Sequence, residues 1–162
     1  MRRITLLAIL GGIGVLVLVA NSATTLATPP SGVGPSVTYR ATVPPYHVDS
    51  NDFKVFQKNP EDVVVRQLNY PPGASSGWHT HPGPVFVLVT SGSVVNYHAD
   101  DPTCTGQTFS AGQGFVETPG DIHFVRNEGT SPAVVLATFL NVPVGVVGAF
   151  RIDALRPGNC PF

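Results

Sequence analysis

Residues 73–92 read GASSGWHTHPGPVFVLVTSG, and the fold expected of this chain is decided by that stretch. His79 and His81 are two residues apart, and a β-strand points residues i and i+2 to the same face. Two imidazoles on one face can reach a shared point, and a neutral ring nitrogen is a good ligand for a first-row divalent metal. By the same alternation Trp78 points to the opposite face and is expected to pack between sheets or to cover the mouth of the barrel rather than to touch a ligand. The pair alone arises easily by chance among five histidines, so the surrounding residues carry the prediction.

The spacing around the two histidines resembles the first conserved motif of the cupin superfamily. The stretch opens with Gly73, carries His79 and His81 in its centre, continues through a Pro-Gly pair and an apolar strand, and closes with Gly92. The resemblance implies a single-domain antiparallel β-barrel of the double-stranded β-helix, or jelly-roll, type. It also implies that both imidazoles face the barrel interior.

A second stretch resembles the second cupin motif, with Gly112 and Gly120 preceding His123 and Asn127. The resemblance implies that His123 faces the same interior as the first pair of histidines. Three neutral imidazoles in a dry cavity would lack hydrogen-bond partners, and a cation would supply what they lack. The expected cofactor is therefore one divalent metal ion, either Fe, Mn, Zn, Ni or Cu.

Val85 stands where the first cupin motif usually carries a metal-binding Glu. A divalent ion on three neutral ligands keeps its full charge and should be retained more weakly. Glu117, Asp121 and Glu128 are the carboxylates near the second motif, and Glu117 is the best replacement among them. Because Asp and Glu at strand ends and turns are usually exposed for solubility, we expect all three to face solvent. A barrel that has lost its metal is the alternative.

Short apolar runs separated by turn residues recur between residues 53 and 141. They are rich in Val, Phe and Thr, and Gly or Pro falls at the breaks between them. This pattern is typical of an all-β sandwich or barrel. Beyond the N-terminal segment, no window has the apolar spacing of an amphipathic helix. The sequence therefore predicts an all-β domain.

Residues 1–27 have the composition of an export signal, because Arg2 and Arg3 precede a long uncharged apolar run that ends in small residues. We expect a signal helix, removed or retained as a membrane anchor, and an exported, extracytoplasmic domain. Residues 28–45 are rich in Pro, Gly, Ser and Thr, which predicts a flexible lead-in. The barrel domain would then span residues 46–162.

The charge distribution argues against nucleic acid as a partner. Nine basic and ten acidic side chains give a formal net charge of −1, and without the two arginines of the signal the balance is 7 minus 10, or −3. No cluster of Lys and Arg is available to neutralise phosphates. A small-molecule ligand is the expected partner, a homodimer is possible, and a membrane would be contacted only through an uncleaved N-terminal segment.

Cys104 and Cys160 are the two cysteines of the chain, so only one pairing is possible. Export into an oxidising compartment favours a disulfide. It would lower the entropy of the unfolded chain by the equivalent of about 4 kcal/mol. Two free thiols, one of them a nucleophile or a metal ligand, are the alternative.

Several apolar and polar side chains are candidates for the lining of the cavity. Strand alternation places Val85 and Val87 on the face of the histidine pair. Tyr70, Tyr97 and Asn127 are further candidates. This largely apolar lining favours a small organic ligand over an inorganic anion.

Three functions are compatible with this reading. If the chain is an enzyme, the resemblance implies a metal-dependent cupin with dioxygenase- or isomerase-like activity. The second is a non-catalytic module that holds a small molecule or a metal in the cell envelope. It is favoured because the motifs contain few candidates for a general acid or base. The third is a structural barrel that serves oligomerisation.

Overall fold

A computed structural model describes residues 27–34 and 36–162 of the chain. The predicted signal therefore lies outside the described residues, apart from Ala27. Within the described part every regular element is a β-strand, which confirms the all-β prediction. Over the same residues there is no helix with the length and apolar character that a membrane crossing requires.

The described strands are short, and turns separate them at most junctions. They are β1 (Val37–Val43), β2 (Tyr46–Ser50), β3 (Phe53–Gln57), β4 (Glu61–Tyr70), β5 (His79–Thr80), β6 (Val85–Ser91), β7 (Ser93–His98), β8 (Gln107–Ser110), β9 (Gly114–Glu117), β10 (His123–Arg126), β11 (Ala133–Val142) and β12 (Ile152–Asp153).

Two five-stranded antiparallel sheets form the barrel, with strand orders β1-β4-β11-β6-β9 and β12-β5-β10-β7-β8. From β4 onward the chain changes sheet at every step to the next strand, except between β7 and β8, which are neighbours in one sheet. The main hydrophobic core contains Val85 and Val135 from the first sheet together with Val94 and Val125 from the second. The interior between the two sheets is therefore the place where the two sequence motifs meet. Strands β2 and β3 form a separate hairpin.

Strand β6 follows the alternation expected from its sequence. Val85, Val87 and Val89 are buried, whereas Phe86 and Leu88 between them are exposed. Strand β11 alternates in the same way along its first seven residues, with every second side chain buried. Period-two burial of β-branched residues is what fits a strand that covers a core on one face.

The prediction of a flexible lead-in over residues 28–45 is wrong for most of that range. Strand β1 pairs with β4 through seven consecutive residues, from Val37↔Gln67 to Val43↔Glu61. Further upstream, Thr28 packs so closely on Gly77 that a Cβ at Gly77 would lie 2.0 Å from the Thr28 carbonyl oxygen. The Pro- and Gly-rich composition lowers local propensity, but pairing with an available sheet edge outweighs it.

A second, smaller cluster lies outside the main core and contains Trp78, Tyr97 and Phe124, with Phe162 packed against them. Trp78 is fully buried and its indole nitrogen donates to the carbonyl oxygen of Phe162 at 2.7 Å. The expected placement of Trp78 away from the histidines is thus confirmed. The predicted disulfide between Cys104 and Cys160 is also formed, and it fixes the C-terminal tail to this cluster.

Candidate metal centre

Three buried histidines converge between the two sheets. His79 in β5 pairs directly with His123, the first residue of β10, and His81 follows β5 in sequence. The ring centroid of His79 lies 4.7 Å from that of His81 and 4.4 Å from that of His123. One nitrogen from each ring lies within 4.8 Å of the others. The structure therefore brings together the three residues that the motifs single out.

Each of the three rings is oriented by a backbone carbonyl. The Nδ1 atoms of His79, His81 and His123 lie 2.8, 2.5 and 3.0 Å from the carbonyl oxygens of Gly77, Phe150 and Asp121. A carbonyl can only accept, so each Nδ1 carries the proton and donates it. In a neutral ring the Nε2 atom is then a bare acceptor, which is the form that binds a metal.

Glu117 places a buried carboxylate beside two of the three rings, contrary to the expectation that it faces solvent. The residue is 4% exposed and ends β9. Its carboxylate oxygens lie 3.1 Å from Nε2 of His81 and 3.2 Å from Nε2 of His123. We refer to His79, His81, His123 and Glu117 together as the metal centre.

The position of Glu117 follows from the register of two neighbouring strands. Val85 in β6 is the cross-strand partner of Glu117 in β9. Side chains of directly opposed residues in an antiparallel pair lie on the same face, about 4.5–5.5 Å apart at Cβ. The carboxylate missing at Val85 is therefore present on the adjacent strand, at the position nearest to it.

Burial and mutual contact shift the protonation of the centre in opposite directions. Burial, followed by the neighbouring His123, lowers the pKa of His79 to about 2. For Glu117, burial by itself favours the protonated acid, but the close approach of the His123 and His81 rings outweighs burial and the pKa falls. For His123, burial favours the neutral ring, yet the adjacent Glu117 carboxylate outweighs burial and the pKa rises. In the metal-free protein His79 is therefore neutral and Glu117 is ionised.

The residues present fit a divalent cation. The Nε2 atoms of His81 and His123 are buried and have no aligned hydrogen-bond partner, although the Glu117 oxygens are close. Several inward acceptors beside an ionised carboxylate repel one another unless a positive charge lies between them. Nitrogen and carboxylate oxygen ligands in this combination suit Zn, Mn, Fe, Ni or Cu.

A cavity opens from the metal centre towards the surface. Its inner pocket, of about 40 Å³, is bounded by Glu117 and Val87. Its outer chamber, of about 200 Å³, is bounded by Arg66, Phe150 and Arg151. Both parts share wall residues of the centre and of the core, namely Leu68, Tyr70, Ser76, His79, His81 and Phe139. A ligand in the outer chamber would therefore touch two of the histidines.

The residues predicted to line this cavity divide into two groups. Tyr70 and Val87 lie in its wall. Val85 is fully buried in the main core beside Glu117 rather than in the wall. Tyr97 lies in the second cluster, where its hydroxyl donates to Glu128 at 2.7 Å. Asn127, also predicted to line the cavity, instead donates from its amide to the carbonyls of Tyr70 and Ser131 and holds two loops together.

Sequence reasoning missed the chamber's two arginines. Arg66 lies in β4, and Arg151 lies just before β12 in the C-terminal segment. Only the pairing of β4 and the return of the C-terminal segment to β5 bring them to one opening. One local signal existed for Arg66, since it shares the face of Leu68 and Tyr70 by strand alternation.

A two-sheet β-barrel with three imidazoles and a carboxylate converging inside it defines the class of protein. Residues 66–139 match the family model described as "Cupin domain". By this match, residues 66–139 of the chain are a cupin domain.

Similar proteins include several germin-like relatives. Germin-like protein 9-3 of Oryza sativa subsp. japonica is 32% identical over 106 residues, which cover 60% of this chain and 50% of the relative. The rhicadhesin receptor of Pisum sativum is 30% identical over 96 residues, covering 54% and 44%. The chain thus spans about half the length of the curated relatives it matches.

Among solved structures, the chain is similar to an uncharacterized conserved protein with a double-stranded β-helix domain from Klebsiella pneumoniae. The TM-score is 0.46 at 21% identity, covering 68% of this chain and 84% of that one.

Proposed function

We propose that this protein is a metal-binding cupin that holds one divalent cation on the metal centre and a small organic ligand in the adjoining chamber. The observation that carries the proposal is that buried hydrogen-bond acceptors point towards one another without a donor between them. Two Nε2 atoms have no aligned partner, and a carboxylate lies 3.1–3.2 Å from them. A cation is the one partner that satisfies all of these acceptors together.

The chain's own residues would fix the geometry of such a site. The carbonyl oxygens of Gly77, Phe150 and Asp121 hold the three rings in the tautomer that presents Nε2. Such carbonyl partners raise the basicity of the ligand and restrict ring rotation, and their loss typically costs a metal site about 10–100-fold in affinity.

Glu117 changes the charge of the proposed site. On three neutral imidazoles a divalent ion would keep a charge of +2, whereas the ionised Glu117 reduces the total to +1. The lowered pKa of Glu117 supports this, because its carboxylate is available without first releasing a proton at neutral pH. Retention of the ion is therefore expected to be stronger than a three-histidine site alone would give.

The surroundings of the centre would keep bulk water away from a bound ligand. Val87, Val125, Val135 and Ala137 border the inner pocket. A divalent cation in this centre would supply Lewis-acid activation of an oxygen atom on the ligand. Tyr70, a further ionisable residue of the wall, has a pKa raised mainly by burial, so it stays protonated and can act as a hydrogen-bond donor.

We also infer an extracytoplasmic location. The disulfide between Cys104 and Cys160 supports it, because such bonds persist in oxidising compartments and are rare in the cytosol. The apolar N-terminal segment with Arg2 and Arg3 ahead of it supports export as well.

Metal stoichiometry tests the proposed function. The full chain, purified without reductant, is stripped with a chelator, dialysed against Zn²⁺ or Mn²⁺ and analysed for metal by mass spectrometry. We expect one ion per chain, and less than a tenth of that in His79→Ala. His47→Ala is the matched control, because His47 is exposed on β2. Retention of no ion by the wild type would contradict the proposal.

Turnover then separates an enzyme from a ligand-binding module. The loaded protein is assayed for oxygen consumption and for isomerisation across a panel of small organic acids, alcohols and thiols. Turnover that disappears in His79→Ala supports an oxygenase- or isomerase-like enzyme. Stoichiometric metal with ligand binding and no turnover supports a non-catalytic module of the cell envelope.

A further inference from the structure

The outer chamber of the cavity carries two guanidinium groups and no carboxylate. Arg66 and Arg151 both border it, and Glu117 borders only the inner pocket. The two cations are close enough that Arg151 contributes, after burial, to lowering the pKa of Arg66. Like charges held together at the mouth of a dry cavity are unfavourable unless an anion lies between them.

The hydrogen bonds of the two arginines within the described part of the chain leave one nitrogen of Arg151 without a partner and give Arg66 only neutral acceptors. Arg151 donates from Nε to Asp153 at 2.6 Å, but its Nη2 is buried and has no hydrogen-bond partner. Arg66 donates to the neutral hydroxyls of Thr38 and Ser36, at 3.3 and 2.7 Å, and has no ion pair among the described residues. A buried guanidinium N–H without an acceptor costs stability until a ligand supplies one.

Phe150 and Arg151, which are adjacent in sequence, connect the two arginines of the outer chamber with the metal centre. Phe150 accepts the Nδ1 proton of His81 through its carbonyl oxygen. Its ring lies under the guanidinium of Arg66, 5.0 Å from centroid to Cζ. Arg151 follows it in sequence. A ligand that contacts both arginines in a chamber of about 200 Å³ therefore also reaches His79 and His81 in the same wall.

We infer that the chamber takes a small organic carboxylate, whose anionic oxygens contact Arg66 and Arg151 while a second oxygen atom faces the histidines. The inference rests on the proposed metal-binding function. Guanidinium groups recognise carboxylates through paired, charge-assisted hydrogen bonds. The apolar walls formed by Leu68, Phe139 and Phe150 suit the carbon skeleton of such a ligand. The chamber is smaller than the roughly 300–1,000 Å³ typical of sites for larger ligands, so the carboxylate is short.

The test compares lactate with propane-1,2-diol, which replaces the carboxylate by a neutral hydroxymethyl group of similar size. Both are titrated into zinc-loaded protein by calorimetry. We expect lactate affinity to fall roughly ten- to hundredfold in Arg151→Gln, the range for a hydrogen bond to a charged group, and to fall in Arg66→Gln as well. Affinity for the diol should change less than about threefold.

Two further variants check that charge and position are responsible. Arg151→Lys keeps the charge and should retain part of the affinity for lactate. Arg156→Gln removes the same charge from an exposed residue outside the cavity and should leave lactate binding unchanged. Unchanged lactate affinity in both Arg66→Gln and Arg151→Gln would overturn the inference. If inorganic phosphate binds more tightly than lactate, the assignment of an organic carboxylate as the ligand is overturned.

Zinc affinity, measured first, separates failure of this inference from failure of the proposed function. If zinc binds and lactate does not depend on the arginines, the metal site stands and the carboxylate assignment falls. If zinc does not bind, the proposed function falls. Lactate is then titrated into metal-free wild type and Arg151→Gln, where a difference supports an anion site and equality refutes it.

Discussion

Two groups of histidines and carboxylates lie close together in this barrel, and their surroundings differ. The inner one is the metal centre. The outer one, formed by His98, Asp100 and Asp121, also places one ligand atom of each residue within 4.8 Å of the others. Residue types and spacing alone would assign a metal to both.

The outer group already satisfies itself. His98 donates from Nδ1 to the Asp121 carboxylate at 2.8 Å, and its Nε2 lies 3.2 Å from the amide nitrogen of Asn96. Both ring nitrogens are thus in use. The His98 and Asp121 side chains are 39% and 21% exposed, so water reaches them. In the inner group the rings are buried, and two Nε2 atoms lack an aligned partner.

Asp121 connects the two groups and shows how the difference arises. Its carbonyl oxygen accepts from Nδ1 of His123, which leaves Nε2 of that ring free to point inward. Its carboxylate accepts from Nδ1 of His98, whose Nε2 then meets Asn96 instead of a cavity. A candidate metal site is therefore defined by the unused lone pairs that point into a dry space, and not by the number of ligand-type residues.

The largest expected effect is on metal affinity when one inner ring is removed. His123→Ala should weaken Zn²⁺ binding at least about a thousandfold, or about 4 kcal/mol, because it removes a ligand and leaves Glu117 less constrained. His98→Ala is the matched control, because His98 lies opposite His123 on the neighbouring strand β7 but belongs to the outer group, and it should change the affinity less than about threefold. Competition with a chromogenic chelator measures both. Equal losses in the two variants would remove the distinction between the groups.

The disulfide lies near the outer group and should matter to stability but not to metal. Cys104→Ser combined with Cys160→Ser opens a link between residues 56 apart in sequence, which should cost about 4 kcal/mol of unfolding free energy in the loop-entropy account. Urea unfolding measures the loss. Zinc affinity of the folded variant should stay within about threefold of wild type, since no strand of the metal centre ends at either cysteine. A large loss of affinity would show that the tail positions the inner rings.

Local patterns in the sequence account for the inner histidines and for most strands. His79 and His81 share a face through period-two alternation, and motif spacing brings in His123. The alternation of β6 and the single possible disulfide were likewise readable. Each of these features depends on near neighbours in the chain or on a pairing with no alternative.

Features that depend on register between distant strands were not readable in the same way. Glu117 belongs to the centre because β9 pairs with β6 in a register that sets it opposite Val85. One local signal pointed to it, since Phe115 shares its face and packs against the core. Strand β1 and the meeting of Arg66 with Arg151 likewise require the assembled sheets.

Two variants test whether the Glu117 carboxylate binds the metal and whether a carboxylate at position 85 can replace it. Glu117→Gln keeps the shape but removes the charge, and should lower Zn²⁺ affinity roughly ten- to hundredfold. The double variant Val85→Glu with Glu117→Val places the carboxylate on β6 and should recover most of that loss, because the two positions are cross-strand partners. Isothermal titration gives both values. Unchanged affinity in Glu117→Gln would mean that Glu117 is not a ligand.

The smallest expected effect is the pH dependence of stability in the metal-free protein. His79 has a pKa of about 2 when folded and an ordinary pKa of 6.5 when unfolded, so below pH 6.5 the unfolded chain binds a proton that the folded protein does not bind. Stability should therefore fall with decreasing pH, by up to about 1.4 kcal/mol per unit from this group. The stability that the raised pKa of His123 contributes is lost as pH rises above 6.5. The stability that the lowered pKa of Glu117 contributes is lost as pH falls below the ordinary pKa of 4.5.

The window between pH 6 and 5 separates the contribution of His79 from those of His123 and Glu117. Urea unfolding in the presence of a chelator should show a shallower fall in His79→Gln than in wild type across this window. An equal slope in wild type and His79→Gln would mean that water reaches the inner rings as freely as the outer ones, and the contrast between the two groups would fail.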